Sequence, residues 1–135
     1  GDKEWYITAS EPDRPGGITY LPLTFEPPLR ENESLTAELD TCPTKEDLVQ
    51  CYLQKEPARK LINLQNLPIL ILSAEASYHA PYDHGTSNFL KQAGVEHDFI
   101  RLEDNKIHGN GHMMMLEKNN HQIADFLLEW MQSKI

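Results

Sequence analysis

The chain has 135 residues, 39% hydrophobic and 24% charged, the size and composition of one globular domain rather than of a disordered segment. Twelve basic residues against 21 acidic ones leave a formal charge of -9, which argues against a phosphate-backbone partner because no basic stripe offsets the repulsion. No apolar run reaches the roughly eighteen residues of a membrane-spanning helix.

Residues 4–10 (EWYITAS) are short and rich in aromatic and β-branched side chains, which predicts a strand. Glu11-Pro12 stops it, and Asp13 to Gly17 is turn chemistry. Residues 18–29 are apolar but carry too many prolines for a central strand or a helix, so an extended excursion is expected over residues 18–43. The polar, acidic stretch 30–40 reads as surface. Residues 44–63 read as one or two helices, with Thr44 capping the first and Pro57 opening the second.

Residues 67–73 (LPILILS) form a nearly unbroken apolar run, the pattern of a parallel strand buried on both faces. Residues 83–93 predict a helix with Phe89, Leu90 and Ala93 on one side and Gly94 as its C-terminal cap. Residues 97–102 predict another short strand. Residues 120–134 predict a helix with Ile123, Ala124, Leu127, Leu128, Trp130 and Met131 on a broad apolar face. Alternating strands and helices predict an α/β fold with parallel pairing, and three strands make only one edge of a larger sheet.

Cys42 and Cys51 read as free thiols in a reducing compartment rather than as a bridge. The chain opens on Gly1-Asp2-Lys3, which reads as processed or as a piece of something longer. It closes on Ser133-Lys134-Ile135, close to the Ser-Lys-Leu address of the peroxisomal import receptor, so a peroxisomal location is expected, with the cytoplasm as the alternative. Asn32-Glu33-Ser34 is a glycosylation sequon, which has meaning only in a secreted chain.

Between the last strand and the last helix stands Ile107-His108-Gly109-Asn110-Gly111-His112-Met113-Met114-Met115. The two glycines flanking Asn110 disfavour a helix, and a loop at the carboxyl end of a parallel strand is where open α/β sheets place their chemistry. Three readings of the histidine pair stand. A zinc site wants its two histidines a turn apart on a helix with a Glu between them, which this stretch lacks. A structural loop histidine with methionine core filler is the second. A general base that activates a serine is the third.

The run Gly109-Asn110-Gly111-His112-Met113-Met114-Met115-Leu116-Glu117-Lys118-Asn119-Asn120, followed by Ile123-Ala124 and Trp130, resembles the C-terminal signature of a bacterial and fungal esterase subgroup of the α/β-hydrolases. Residues 68–76 resemble that family's seventh strand, Ala93-Gly94-Val95 and the following strand also fit, and residues 17–28 resemble a stretch of its fungal members. The resemblance covers nearly the whole chain but only the C-terminal half of the family's domain, so residues 1–135 are expected to be the C-terminal portion of one α/β-hydrolase domain.

The resemblance implies that His112 is the catalytic histidine. Most of the superfamily carries an Asp just after the seventh strand, where this chain reads Ser73-Ala74-Glu75-Ala76-Ser77-Tyr78. The subgroup instead uses a Glu followed by Pro after the sixth strand, which Glu11-Pro12 matches, with Glu75 in reserve and Asp83 a more distant candidate. Such a carboxylate would accept the Nδ1 proton of the histidine. His108 and Tyr78 are candidates for contact with substrate, and Tyr78, His79, Tyr82 and His84 cluster after the seventh strand. The Gly-x-Ser-x-Gly nucleophile elbow does not occur in the sequence, so an N-terminal half or a complementary chain is expected to supply it.

The function so implied is hydrolysis of a small-molecule carboxylic ester, with no metal or organic cofactor. The fungal resemblance extends to hydrolases of host-selective toxin biosynthesis. A non-catalytic remnant that needs a partner is the rival from another class, and a histidine metal module the third.

Overall fold

The computed structural model describes residues 23–41 and 47–135. Two small sheets and two α-helices organise them. Strands β1 (Ala37–Leu39) and β2 (Tyr52–Gln54) pair antiparallel, with Glu38 opposite Leu53. Strands β3 (Leu70–Ser73) and β4 (Asp98–Arg101) pair parallel, with Leu70 opposite Asp98 and Ser73 opposite Arg101. Helix α1 (Asp83–Gln92) connects them, and α2 (Asn120–Gln132) follows β4. This is a small mixed α/β structure with both parallel and antiparallel pairs.

The β3–α1–β4 unit forms where the sequence predicts it. Alternate residues of a strand face opposite ways. Ile69 and Ile71 accordingly pack on a core containing Phe89 and Leu90 of α1, with Phe25, Leu61, Ala93 and Val95. Leu72 packs on a second core of Ala74, Leu102, Ile107 and Ile123, joined by Phe126 and Leu127 of α2. Each helix thus covers one side of β3. Gly94 takes a positive φ of 74° just past α1, the left-handed turn that a glycine cap supplies without a Cβ clash.

The helices predicted over residues 44–63 do not form in the described part, and Thr44 lies outside it. β2 occupies that stretch instead, followed by one short 3-10 turn at Ile62–Leu64. Side chains hold β2 extended. The Gln92 amide spans the backbone of Gln54, its Oε1 accepting from Gln54 N at 2.9 Å and its Nε2 donating to Gln54 O at 2.7 Å. The Gln54 side chain in turn pairs with both backbone groups of Arg59 at 3.0 Å. Tertiary hydrogen bonds outweigh the local helical preference here. Pro57 lies in the bend that follows, not at a helix start.

The stretch read as surface, residues 30–40, contains β1, whose residues are exposed, but ends on buried Asp40. Asn88 of α1 donates to Asp40 Oδ2 at 3.0 Å. The broad apolar face of α2 is only partly covered. Ile123 is buried, whereas Leu128 and Met131 are each 53% exposed. Leu70, Leu72, Met115, Leu127, Trp130 and Met131 line an open apolar cleft of about 750 Å³ between β3 and α2. No helix among the described residues is long and apolar enough to cross a membrane.

Candidate active site

Two loops meet at the carboxyl end of the parallel pair. One runs from Ala74 to Tyr82 after β3; the other runs from Lys106 to Met113, between the 3-10 turns Leu102–Asn105 and Met114–Leu116. The second loop is non-helical, as its glycines predict: Gly109 has a φ of 78°, and a Cβ there would meet open space, so backbone conformation alone favours glycine.

Asn110 anchors this loop. It is 1% exposed, and its Nδ2 donates to Glu117 Oε2 at 2.6 Å and Asn119 Oδ1 at 2.7 Å. Asn119 Nδ2 donates back to Asn110 Oδ1 at 2.9 Å, and Gly111 N donates to Glu117 Oε1 at 2.7 Å. Glu117 and Asn119 sit at the entry to α2, so the loop is fastened to a rigid element on each side. Sequence reasoning assigned no role to either residue; an Asn between two glycines, followed by a Glu and an Asn, was the available signal.

His112 projects from the anchored loop and is exposed. Its Nδ1 lies 3.3 Å from Ser77 Oγ. His79 stacks on the ring, with centroids 4.5 Å apart and planes 14° from parallel, and Tyr78 leans on it at 4.6 Å. Asp83 Oδ1 lies 3.1 Å from His79 Nδ1, and Tyr82 continues the ring cluster at 4.9 Å from His79. The structure therefore brings Tyr78 and His79 to His112. An exposed imidazole with a hydrogen-bond partner at Nδ1 has the shape of a proton acceptor.

Glu11 lies outside the described residues, as do the strand predicted over residues 4–10 and Cys42. The reserve carboxylates are engaged elsewhere. Glu75 Oε2 accepts from Gly109 N at 2.8 Å and lies 3.2 Å from His108 Nδ1. The Gly109 amide first, and the His108 ring second, hold the Glu75 carboxyl below the usual carboxylate range. Asp83 serves His79. Among the described residues, the hydrogen-bond partner at His112 is thus a serine. His108 is 61% exposed and faces Glu75, so the structure does not bring it to His112.

Met113 and Met115, expected as core filler in the structural reading, are 54% and 57% exposed, and only Met114 packs against a core. A second histidine of the cluster, His84, turns away to Cys51, with Nε2 3.7 Å from Sγ. This pair is not a nucleophile and base. Burial, and then the nearby Asp40 charge, push the Cys51 thiol up to about 11, and its side chain is 1% exposed. Cys51 is a free thiol. No group of three or more His, Cys, Asp or Glu side chains among the described residues is gathered as a metal ion would need.

No family model and no solved structure matches the chain. Over 124 residues, 90% of its length, the chain is 47% identical to a protein of Fungal sp. (strain ATCC 74256) named "Probable secreted lipase phiG". It spans about a third of that relative's length, 33%. That this relative is named a probable secreted lipase overturns the peroxisomal expectation. The structure adds a physical objection to an import receptor reading Ser133, Lys134 and Ile135. Lys134 Nζ is ion-paired with Asp98, and Ser133 Oγ donates to Trp130 O at 2.6 Å, so two of the three residues are tied back to the fold.

Proposed function

We propose that this chain is part of a serine-type carboxylic ester hydrolase, lipase- or esterase-like, and that residues 1–135 form the C-terminal portion of an α/β-hydrolase domain. The observation that carries the reading is His112. Its imidazole is presented at the carboxyl end of a parallel pair, in a chain 47% identical over 124 residues to a protein named a probable secreted lipase. The open apolar cleft beside α2 supports a larger domain, since an uncovered apolar face of this kind normally packs on further structure.

In the proposed reaction a serine from the remainder of the domain attacks the ester carbonyl. His112 Nε2 takes its proton and passes it to the departing alcohol. The same nitrogen then draws a proton from the water that adds to the acyl-serine carbonyl, and gives that proton to the serine oxygen as the carbon–oxygen bond breaks and the acid leaves. Glu11 is proposed as the carboxylate that stabilises the imidazolium. Tyr78, 62% exposed and against the ring, would form a wall of the substrate site. His108, bonded to Glu75, would shape the loop rather than touch the ester. A secreted location, by analogy with the relative, is one in which exposed Asn32 would meet the glycosylation machinery.

The test joins this chain in frame to the part of the lipase that its match leaves uncovered. The joined protein should hydrolyse p-nitrophenyl butyrate, and neither part alone should do so. A folded joined protein without hydrolysis would overturn the reading.

A further inference from the structure

We infer that Ser77 is a positioning residue for His112: its hydroxyl accepts the Nδ1 proton and so leaves Nε2 as the basic nitrogen. This rests on the reading of His112 as a base, but its geometry stands independently.

A serine oxygen offers two acceptor sites and one proton. One acceptor site of Ser77 Oγ takes the His79 backbone N–H at 3.1 Å. His112 Nδ1 lies 3.3 Å from the same oxygen, which leaves the second acceptor site for it. The side chain is held in place. Ser77 N donates to Ala74 O at 2.9 Å, Ala80 N donates to Ser77 O at 3.0 Å, and neighbouring Ala76 N donates to Asn110 O at 2.9 Å. Ser77 is 6% exposed, so bulk water competes poorly for its oxygen.

The imidazole is held as well. The stacked His79 ring and the Tyr78 ring restrict its tilt, and a half-turn about its bond to Cβ would put a carbon where Nδ1 now stands. A neutral imidazole carries one N–H. If Nδ1 donates to Ser77, Nε2 has a free lone pair and serves as a base. If Nδ1 accepts from Ser77, Nε2 carries the proton and cannot. The Ser77 hydroxyl proton, unspent in the first arrangement, is then available to a carboxylate. Serine fixes the tautomer without placing a negative charge against the ring, so imidazolium stabilisation falls to another group.

The experiment reads the ring nitrogens directly, without turnover. The 15N-labelled 135-residue chain is observed at about pH 9, where histidines are neutral. His112 is assigned by its disappearance in His112→Gln. The expected result is a protonated Nδ1 and an unprotonated Nε2 in the native chain. In Ser77→Ala the ratio should move about tenfold toward the Nε2–H form, the scale of one neutral hydrogen bond. Ser77→Thr, which keeps the hydroxyl, should retain the native ratio, and unmoved signals from His84 and His97, whose partners are Cys51 and Ser87, report an intact fold. A native chain with its proton on Nε2, or a ratio indifferent to Ser77→Ala, overturns the inference. An inactive joined protein with the Nδ1–H form present would instead sink the hydrolase reading alone.

Discussion

Ser77 Oγ stands 3.3 Å from Nδ1 of His112, the third of three successive ties between the loop after β3 and the loop that carries the histidine. Glu75 accepts from Gly109 N at 2.8 Å, and Ala76 N donates to Asn110 O at 2.9 Å. Residues 75, 76 and 77 therefore meet 109, 110 and 112 in order, and the imidazole is placed by a short ladder rather than by one contact. A ladder of this kind makes the ring's position sensitive to its middle member.

Asn110→Ala keeps the backbone carbonyl of the ladder and tests the side-chain network that anchors it. It removes a buried amide and leaves Glu117 and Asn119 without their shared partner. The expected loss is about 2–3 kcal/mol of stability, measured as a fall in the urea midpoint at unchanged m-value. A shift worth less than about 0.5 kcal/mol would mean that the loop does not depend on this network.

Gly85→Ala should destabilise through a different cause. A Cβ at position 85 would stand 2.6 Å from Cys51 Sγ and 2.9 Å from Cys51 Cβ. Overpacking of this kind costs about 1–3 kcal/mol. Cys51→Ala in the same chain removes the sulfur but not the Cβ, so a double-mutant cycle should show partial recovery. Simple additivity of the two changes would contradict the clash.

The Asp98 carboxyl gives a pH prediction. Its hydrogen bond from Lys134 first, and from Trp130 second, holds it below the usual Asp value. The folded value lies below the unfolded one, so this stabilisation is fully present above about pH 4 and is lost as pH falls through the lowered value. With the side chain 39% exposed, solvent screening limits the effect to about 0.5–1 kcal/mol. Asp98→Asn should flatten the acid limb of the stability curve below about pH 4 and leave its shape at higher pH unchanged. An acid limb as steep as that of the native chain would contradict the assignment.

Cys51 should resist alkylation in the folded chain. Its thiol is buried and its pKa is raised to about 11, so little thiolate forms and reagent has no access. Peptide mapping after iodoacetamide should find Cys51 unmodified in buffer and modified in urea. Rapid labelling of the native chain would show that the pair with His84 is activated after all.

Much of the β3–α1–β4–α2 order was legible because each element signals itself locally. The apolar run around Leu70–Ser73, the stop at Gly94 and the helical spacing from Ile123 onward need no distant partner. Residues 44–63 were misread because what holds β2 extended is not local: Gln92 lies 38 residues from the Gln54 backbone that it spans. The site divides in the same way. His112 stands out between glycines and a helix. Ser77 does not, since one serine among several acquires meaning only when two loops 35 residues apart in sequence meet. Glu75, adjacent to Ala76 in the ladder, looked suited to His112, yet the ordered pairing gives it to Gly109 and His108.

The central claim is that His112 is the base of an ester hydrolase, and the most direct measurement is kcat for p-nitrophenyl butyrate in the joined protein carrying His112→Ala. The account predicts a fall of at least about 10²-fold with the fold intact by circular dichroism. Turnover within about twofold of the unsubstituted protein would contradict it.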